Sequence, residues 1–186
     1  MTALIPEKNK SNQYLTFTLR DGDFAIDIAK VREVLDVATM TKIPHMPSYI
    51  SGVINLRGNV VPVLDLGCRL GMEPVVPTKN TCVMIVETTI DETTFALGTV
   101  ADSVQMVLDL QTSEIEEVPR MGRNINTDFI NGMGKQGEKF LVILNIDKVI
   151  SHGGEDLQML SPAILNPLAR EVFLDLPPGQ NKEALQ

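Results

Sequence analysis

Tryptophan is missing from this chain of 186 residues, and all aromatics together make up only 4% of it. Binding single-stranded nucleic acid takes aromatic platforms and a basic groove. Here 24 acidic residues outnumber 16 basic ones, for a formal net charge of −8. The counterion release that drives nucleic-acid binding therefore has no source, and nucleic acid is not an expected partner. Long apolar runs are missing too. Cys82-Val-Met-Ile-Val86 and Phe140-Leu-Val-Ile-Leu144 are short, whereas a membrane-crossing helix needs about 20 apolar residues. No membrane insertion is expected. The start, Met1-Thr-Ala-Leu-Ile-Pro-Glu-Lys8, carries neither the charged lead nor the apolar stretch of a secretory signal, so the reading is cytoplasmic.

Cysteine and histidine are equally scarce. Cys68 and Cys82 form neither a CxxC nor a metal spacing, and the two histidines, His45 and His152, lie far from them in sequence. Free thiols in a reducing compartment are the expectation, with no metal and no cofactor. A Cys–His pair built from Cys68 or Cys82 with His45 is the remote enzymatic alternative. Acid–base chemistry would have to draw on Glu33, Asp65 or Asp27. Asp65, however, precedes a helical turn and reads as its N-cap, and Glu114, Glu116 and Glu117 read as a solvated acidic face. Gly132-Met-Gly134-Lys-Gln-Gly137 matches the dinucleotide-binding pattern letter for letter. That pattern works only between a parallel strand and a helix. Here a strand-like run follows, so the stretch reads as a glycine-rich turn, and no catalytic constellation emerges.

What the chain does have is a hairpin repeated at a distance. In Gly52-Val-Ile-Asn-Leu-Arg57-Gly58-Asn-Val-Val-Pro-Val-Leu-Asp65-Leu66, two apolar runs flank a polar tip, with Gly58 supplying a residue tolerant of φ > 0. A shift of 80 residues gives a second copy: Tyr49-Ile50-Ser51-Gly52-Val53 answers to Phe129-Ile130-Asn131-Gly132-Met133, and Val60 through Leu66 to Phe140 through Ile146. Arg57 becomes Gly137 in that copy. The turn is duplicated and the charge at its tip is not.

Around this hairpin, Tyr14–Leu19 and Phe24–Ile28 alternate as strands about an Arg20-Asp-Gly-Asp23 turn. Ile28, Val31, Val34 and Leu35 keep helical spacing and predict one or two helical turns. Met40–Ile43 is a strand candidate, and Thr81–Thr88 with Thr94–Val100 a hairpin in which Phe95-Ala96-Leu97 repeats Phe24-Ala25-Ile26. Val104–Leu108 is a further strand, and 111–126 a polar, weakly structured connection. Pro62 cannot donate to a ladder and is expected at a strand edge or bulge. Short, evenly spaced strands argue for an all-β fold. Two copies of a unit of about 70–80 residues argue for two small barrels sharing a hydrophobic seam, since either buries too little alone. After 151 the composition changes: Leu157, Leu160, Ile164, Leu165 and Leu168 keep near-helical spacing, but Pro162 and Pro167 interrupt it. The expected organisation is a flexible N-terminus at 1–12, a folded unit at 13–151, and a C-terminal extension at 152–186, partly helical or disordered.

The run Ile54-Asn-Leu-Arg57-Gly58-Asn-Val-Val-Pro62-Val-Leu-Asp65-Leu66 resembles the signature of the CheW family, the coupling proteins of bacterial chemotaxis. The resemblance continues through Phe24-Ala-Ile-Asp-Ile-Ala-Lys-Val-Arg-Glu33-Val34, Ile43-Pro44, Tyr49-Ile-Ser-Gly52, Gly98-Thr-Val-Ala-Asp-Ser-Val104 and Phe140-Leu-Val-Ile-Leu-Asn-Ile146. It implies two five-stranded, SH3-like β-barrel subdomains on a shared core, with short helical turns. It also implies a non-enzymatic adaptor in two-component signal transduction, recruited to receptor arrays at the inner face of the membrane. The implied partners are the cytoplasmic tip of chemoreceptors, the CheW-like regulatory domain of the histidine kinase CheA, and further copies of the family in rings. Carried over by position, the receptor-binding set is Val31, Glu33, Gly52, Arg57, Gly58, Cys82 and Val83, with Val107 in kinase coupling. A coupler for a non-motility pathway, in pili or biofilm control, is the alternative circuit. Position 82 departs from the aliphatic residue common in the family.

Overall fold

The computed structural model describes residues 12–36, 40–90, 92–119 and 127–151, with only the backbone described at 90 and 93. The lead-in expected before residue 12 and the extension expected for 152–186 lie outside the described residues. Among the described residues, eleven strands form two sheets. The first runs β8-β1-β2-β11-β10-β9 and the second β3-β6-β7-β5-β4, where β1 is Gln13–Leu19, β2 Gly22–Asp27, β3 Val31–Asp36, β4 Ile50–Leu56, β5 Asn59–Asp65, β6 Cys82–Ile90, β7 Thr93–Ala101, β8 Ser103–Asp109, β9 Ile115–Glu116, β10 Ile130–Gln136 and β11 Lys139–Leu144. Two short helices, α1 (Leu66–Arg69) and α2 (Ile146–Ser151), follow β5 and β11.

The duplication read from the sequence is a duplication of register. Ile50 faces Leu64 and Leu56 faces Asn59 in one hairpin; Ile130 faces Leu144 and Gln136 faces Lys139 in the other. Each pair differs from its counterpart by the same 80 positions, and each hairpin carries its irregularity at the same place, between Ile50 and Gly52 and between Ile130 and Gly132. Strands β3-β6-β7-β5-β4 thus correspond one for one to β8-β1-β2-β11-β10. The copies do not follow one another along the chain. The second barrel is continuous from β3 to β7, while the first is closed by β1 and β2 from before it and β8 to β11 from after it. This interleaving leaves the chain crossing twice between barrels.

Three apolar clusters show how the sheets are held. Ile54, Val61, Val63, Val83, Ile85 and Val100 fill the second barrel, and Ala25, Leu110, Leu141 and Ile143 fill the first. The largest cluster joins both, with Phe17, Leu19 and Ile26 from one side meeting Leu64, Met84, Val86 and Leu97 from the other, and Ile146, Val149 and Ile150 of α2 closing it. Side chains alternate along a strand, so β5 and β6 send one set into their own barrel and the other into the seam. That is why both read as unbroken apolar runs.

Four local expectations change. Val31–Asp36 is a strand, preceded by a single 3₁₀ turn at Ile28–Lys30. The helical spacing there comes from Val31 facing the shared core and Leu35 the second barrel's core. Met40–Ile43 forms only one bridge, Thr41 to Val53. This bridge is the counterpart of β9, where Glu116 pairs with Met133; β9 and a 3₁₀ turn at Thr112–Glu114 give order to the start of a connection expected to be weakly structured. Pro62 lies in an interior strand rather than at an edge. Counting from the tip, its nitrogen points away from β4, and pairing with β7 begins only at Val63, so no ladder bond is lost.

Gly52 is required by these contacts. Its φ is 147°, and a Cβ there would stand 2.5 Å from the Thr41 carbonyl oxygen, which accepts the Val53 amide at 2.9 Å. Gly52→Ala should cost about 2 kcal/mol through backbone strain and displacement of that bridge. The loss is readable as a fall in Tm of roughly 4–8 °C; an unchanged Tm would contradict the account of this position.

Candidate functional site

The hairpin tip between β4 and β5 is a two-residue turn in which Arg57 has φ 52° and Gly58 has φ 84°. Positive φ at both central positions is the type I′ pattern, which matches strand twist and normally takes Asn or Gly first. In the matching hairpin Gly137 has φ 63° and Glu138 does not join it above zero, the type II′ pattern. A left-handed backbone costs a residue with a Cβ roughly 1–2 kcal/mol, so arginine is an unfavourable choice at this tip.

Its side chain meets Glu33 of β3 head-on, with Nη1 donating to Oε1 at 2.8 Å and Nη2 to Oε2 at 3.1 Å. Strands β3 and β4 are the two edges of the five-stranded sheet, so the pair spans the seam where the barrel closes. Arg57 is 75% exposed and Glu33 25%. An exposed pair of this kind contributes about 0–1 kcal/mol, no more than the backbone strain that arginine brings. Stability alone does not account for Arg57.

The other expected contact residues divide sharply. Val31 is half-buried against the shared core. Val107 on β8 is 47% exposed and faces Leu15 of β1. Gly58 has open space around it, and Gly52 is buried with the backbone role given above. Val83 is fully buried inside the second barrel and Cys82 is buried in the seam, so neither presents a side chain at the surface as the structure stands.

The structure also holds a polar junction that the sequence did not announce. Arg20, at the tip between β1 and β2 with φ 54°, reaches across to the second barrel, where its Nη2 donates to both carboxylate oxygens of Asp65 at 3.0 Å. Its Nη1 lies 3.3 Å from Asp102 Oδ2, its backbone amide donates to the same carboxylate, and its Nε donates to the Glu73 carbonyl at 2.8 Å. Asp65 caps α1 as expected, accepting the Cys68 amide at 3.1 Å, and also accepts the Val75 amide at 2.8 Å. Burial alone would push its acidity up. The Val75 and Cys68 amides and the Arg20 guanidinium outweigh it and hold the carboxyl below the usual 3.8. A second clamp joins Asp147 of α2 to Lys30 at 2.7 Å and to the Thr88 hydroxyl at 2.9 Å. Burial again works against the charge, but these partners keep this carboxyl below 3.8 as well.

A carboxylate lowered in the folded state contributes stability above its ordinary pKa and loses it as pH falls through the folded value. The Tm should therefore be level from pH 7 to about 5 and decline below about pH 4. Asp65→Asn should flatten the decline while lowering the plateau, as measured by thermal melts across that range.

Neither cysteine is an activated nucleophile. Burial pushes both thiols up, the reverse of the lowering a reactive thiolate needs. Asp65 has its oxygens committed to structural donors, and Asp27 caps the 3₁₀ turn through the Ala29 amide at 2.9 Å. Among the described residues, no group of three or more His, Cys, Asp or Glu is placed to hold a metal, and no helix is long and apolar enough to cross a membrane.

Two interleaved SH3-like barrels, with an ion pair across one closing seam and polar clamps between them, form one module. Comparison with known proteins gives it a family. The family model described as CheW-like domain matches residues 13–153, and the chain belongs to that family. It is 33% identical over 139 residues to the chemotaxis protein CheW of Klebsiella aerogenes, covering 75% of this chain and 81% of that one. It is 32% identical over 151 residues to CheW of Bacillus subtilis, covering 81% and 92%. Among solved structures, the scaffolding protein TtCheW of Thermoanaerobacter tengcongensis superposes with a TM-score of 0.67 at 31% identity, over 77% of this chain and 90% of that chain.

Proposed function

We propose that this chain is a non-enzymatic scaffold that couples chemoreceptors to the histidine kinase CheA, so that receptor state controls kinase activity. The observation that carries the reading is Arg57, an arginine held in a strained tip position, largely exposed and aligned by Glu33, in a chain of the CheW-like family. A guanidinium pre-oriented by a carboxylate offers its remaining donors to a partner at little further entropic cost. The receptor's cytoplasmic tip is proposed to contact Arg57, Glu33 and Val31. Gly52 and Gly58 shape the backbone behind them, and Cys82 and Val83 pack beneath. Val107, on the first barrel's edge strand, is proposed to face the kinase's CheW-like domain or another copy of the chain in a ring. Residues 13–151 are proposed as the folded unit, working at the cytoplasmic face of receptor arrays.

The test is a pull-down of the full chain with receptor cytoplasmic hairpin fragments and with the CheA regulatory domain. Wild type should retain both. Glu33→Lys, which sets two cations face to face across the seam, should lose the receptor fragment and keep the kinase domain. Failure of wild type to retain either partner would overturn the reading. Retention of receptors from a pili or biofilm system alone would move the scaffold to that circuit.

A further inference from the structure

Where the 3₁₀ turn enters β3, successive residues reach different parts of the molecule. Lys30 meets Asp147 of α2 at 2.7 Å, Val31 packs in the shared core, and Glu33 holds Arg57. Arg32 turns to Glu87 of β6, with Nε donating to Oε1 at 2.7 Å and Nη2 donating to the same oxygen. Arg32 is exposed and Glu87 only half-buried, and a pair this open to solvent adds little to folding.

The register of β3 gives the pair another use. Val31 faces Val86 but Glu33 faces Ile85, so Arg32 is an extra residue with no partner across the ladder. Such a bulge re-aims the side chains that follow it. Val86 packs in the shared core and Ile85 in the second barrel, and facing residues of paired strands lie on one side of the sheet. Val31 therefore sits on the seam side, and Glu33 on the barrel side with Leu35. In an unbroken strand Val31 and Glu33 would share a face, and Glu33 would turn to the seam. Glu87 alternates with Val86 and so lies on the barrel side, where Arg32 reaches it. The bulge thus sets two guanidiniums, those of Arg32 and Arg57, on the side of the Glu33 carboxylate. The two oxygens of Glu33 match the fork of one arginine, and both are taken by Arg57. Arg32, next to Glu33 in the chain, needs a second anion, and Glu87 is that anion.

We propose that Glu87 is a positioning residue for the receptor-facing pair: it holds Arg32 off Glu33, so that both Glu33 oxygens stay with Arg57. With Glu87 neutralised, Arg32 turns to the adjacent carboxylate and Arg57 loses its alignment. The consequence for binding rests on Arg57 being a receptor contact, and the consequence for the Arg57–Glu33 pair does not.

The test follows the Arg57 Nε–Hε signal of the full, isotopically labelled chain, alone and with a receptor cytoplasmic hairpin fragment. Glu33→Gln marks where that signal lies when the pair is broken. In Glu87→Gln the signal should move most of the way to that position with Tm nearly unchanged, and affinity for the fragment should fall about three- to tenfold, less than an arginine at the centre of a contact costs. Adding Arg32→Gln to Glu87→Gln removes the competing cation and should return both signal and affinity to wild type. A merely structural role for the Arg32–Glu87 pair gives no such recovery, since the double variant lacks the pair altogether. An Arg57 signal unmoved by Glu87→Gln would overturn the proposal, as would a double variant displaced as far as the single one. Wild type that binds no fragment would remove the receptor reading instead, and the Arg57 signal of the free chain would still decide the role of Glu87.

Discussion

Replacing Asp65 with alanine should remove about 3 kcal/mol of folding stability, at the lower end of what breaking a buried ion pair costs. Asp65 is 3% exposed and accepts four hydrogen bonds from three donors: two from Arg20 Nη2, one from the Cys68 amide and one from the Val75 amide. Its loss strands two backbone donors and removes the anion opposite a half-buried guanidinium. The estimate stays low because Arg20 is 20% exposed and keeps Asp102, so some of its charge remains compensated. The fall in Tm should be roughly 6–12 °C. Asp65→Asn should lose less, since an amide oxygen can still cap α1. Arg20→Ala should resemble Asp65→Ala, and the double variant should lose clearly less than the sum, because each substitution removes the same interaction. Denaturant titration of the four proteins reads this directly. Additive losses would mean that Arg20 and Asp65 act separately.

The second large effect falls on binding and leaves stability nearly untouched. Arg57→Gly removes an exposed pair worth about 0–1 kcal/mol and relieves a left-handed arginine of roughly 1–2 kcal/mol. The folded state should therefore be as stable as wild type or slightly more so. Affinity for the receptor fragment should drop about ten- to a hundredfold, as expected for an arginine at the centre of a contact. Arg57→Asn keeps a residue suited to φ > 0 and should also fold well and bind poorly. A variant that gains stability while losing its partner separates a binding residue from a structural one. Calorimetric titration beside thermal melts makes the comparison, and a loss of Tm with unchanged affinity would reverse the assignment.

Most of the framework could be read from sequence because it is written in repeated apolar runs. The shift that aligns Tyr49-Ile50-Ser51-Gly52 with Phe129-Ile130-Asn131-Gly132 reappears as identical strand register, since inward and outward positions alternate and a slip would bury the wrong face. Interleaving of the barrels was not legible, because a repeat in sequence says nothing about which copies pair. The strand at Val31–Asp36 imitates a 3.6-residue period because Val31 and Leu35 serve two different cores while Val34 is exposed. Arg57 and Glu33 could each be singled out, but not their pairing. They lie 24 residues apart on opposite edges of one sheet, and only barrel closure brings them together. Arg20 gave a faint signal, as a second arginine at a hairpin tip. Its turn was recognised and its reach into the other barrel was not, since nothing local in Arg20-Asp-Gly-Asp23 names Asp65 or Asp102 as partners.

The central claim is that the seam closed by Arg57 and Glu33 is the receptor-facing surface. The most direct measurement is an amide chemical-shift titration of the labelled chain with a receptor cytoplasmic hairpin fragment. The account predicts that the largest changes cluster on β3 around Val31 and Glu33 and on the turn at Arg57 and Gly58, with Arg57→Gly abolishing them at the same fragment concentration. Shifts centred elsewhere, such as on the β10–β11 tip at Gly137 and Glu138, with the Arg57 turn unmoved, would contradict it.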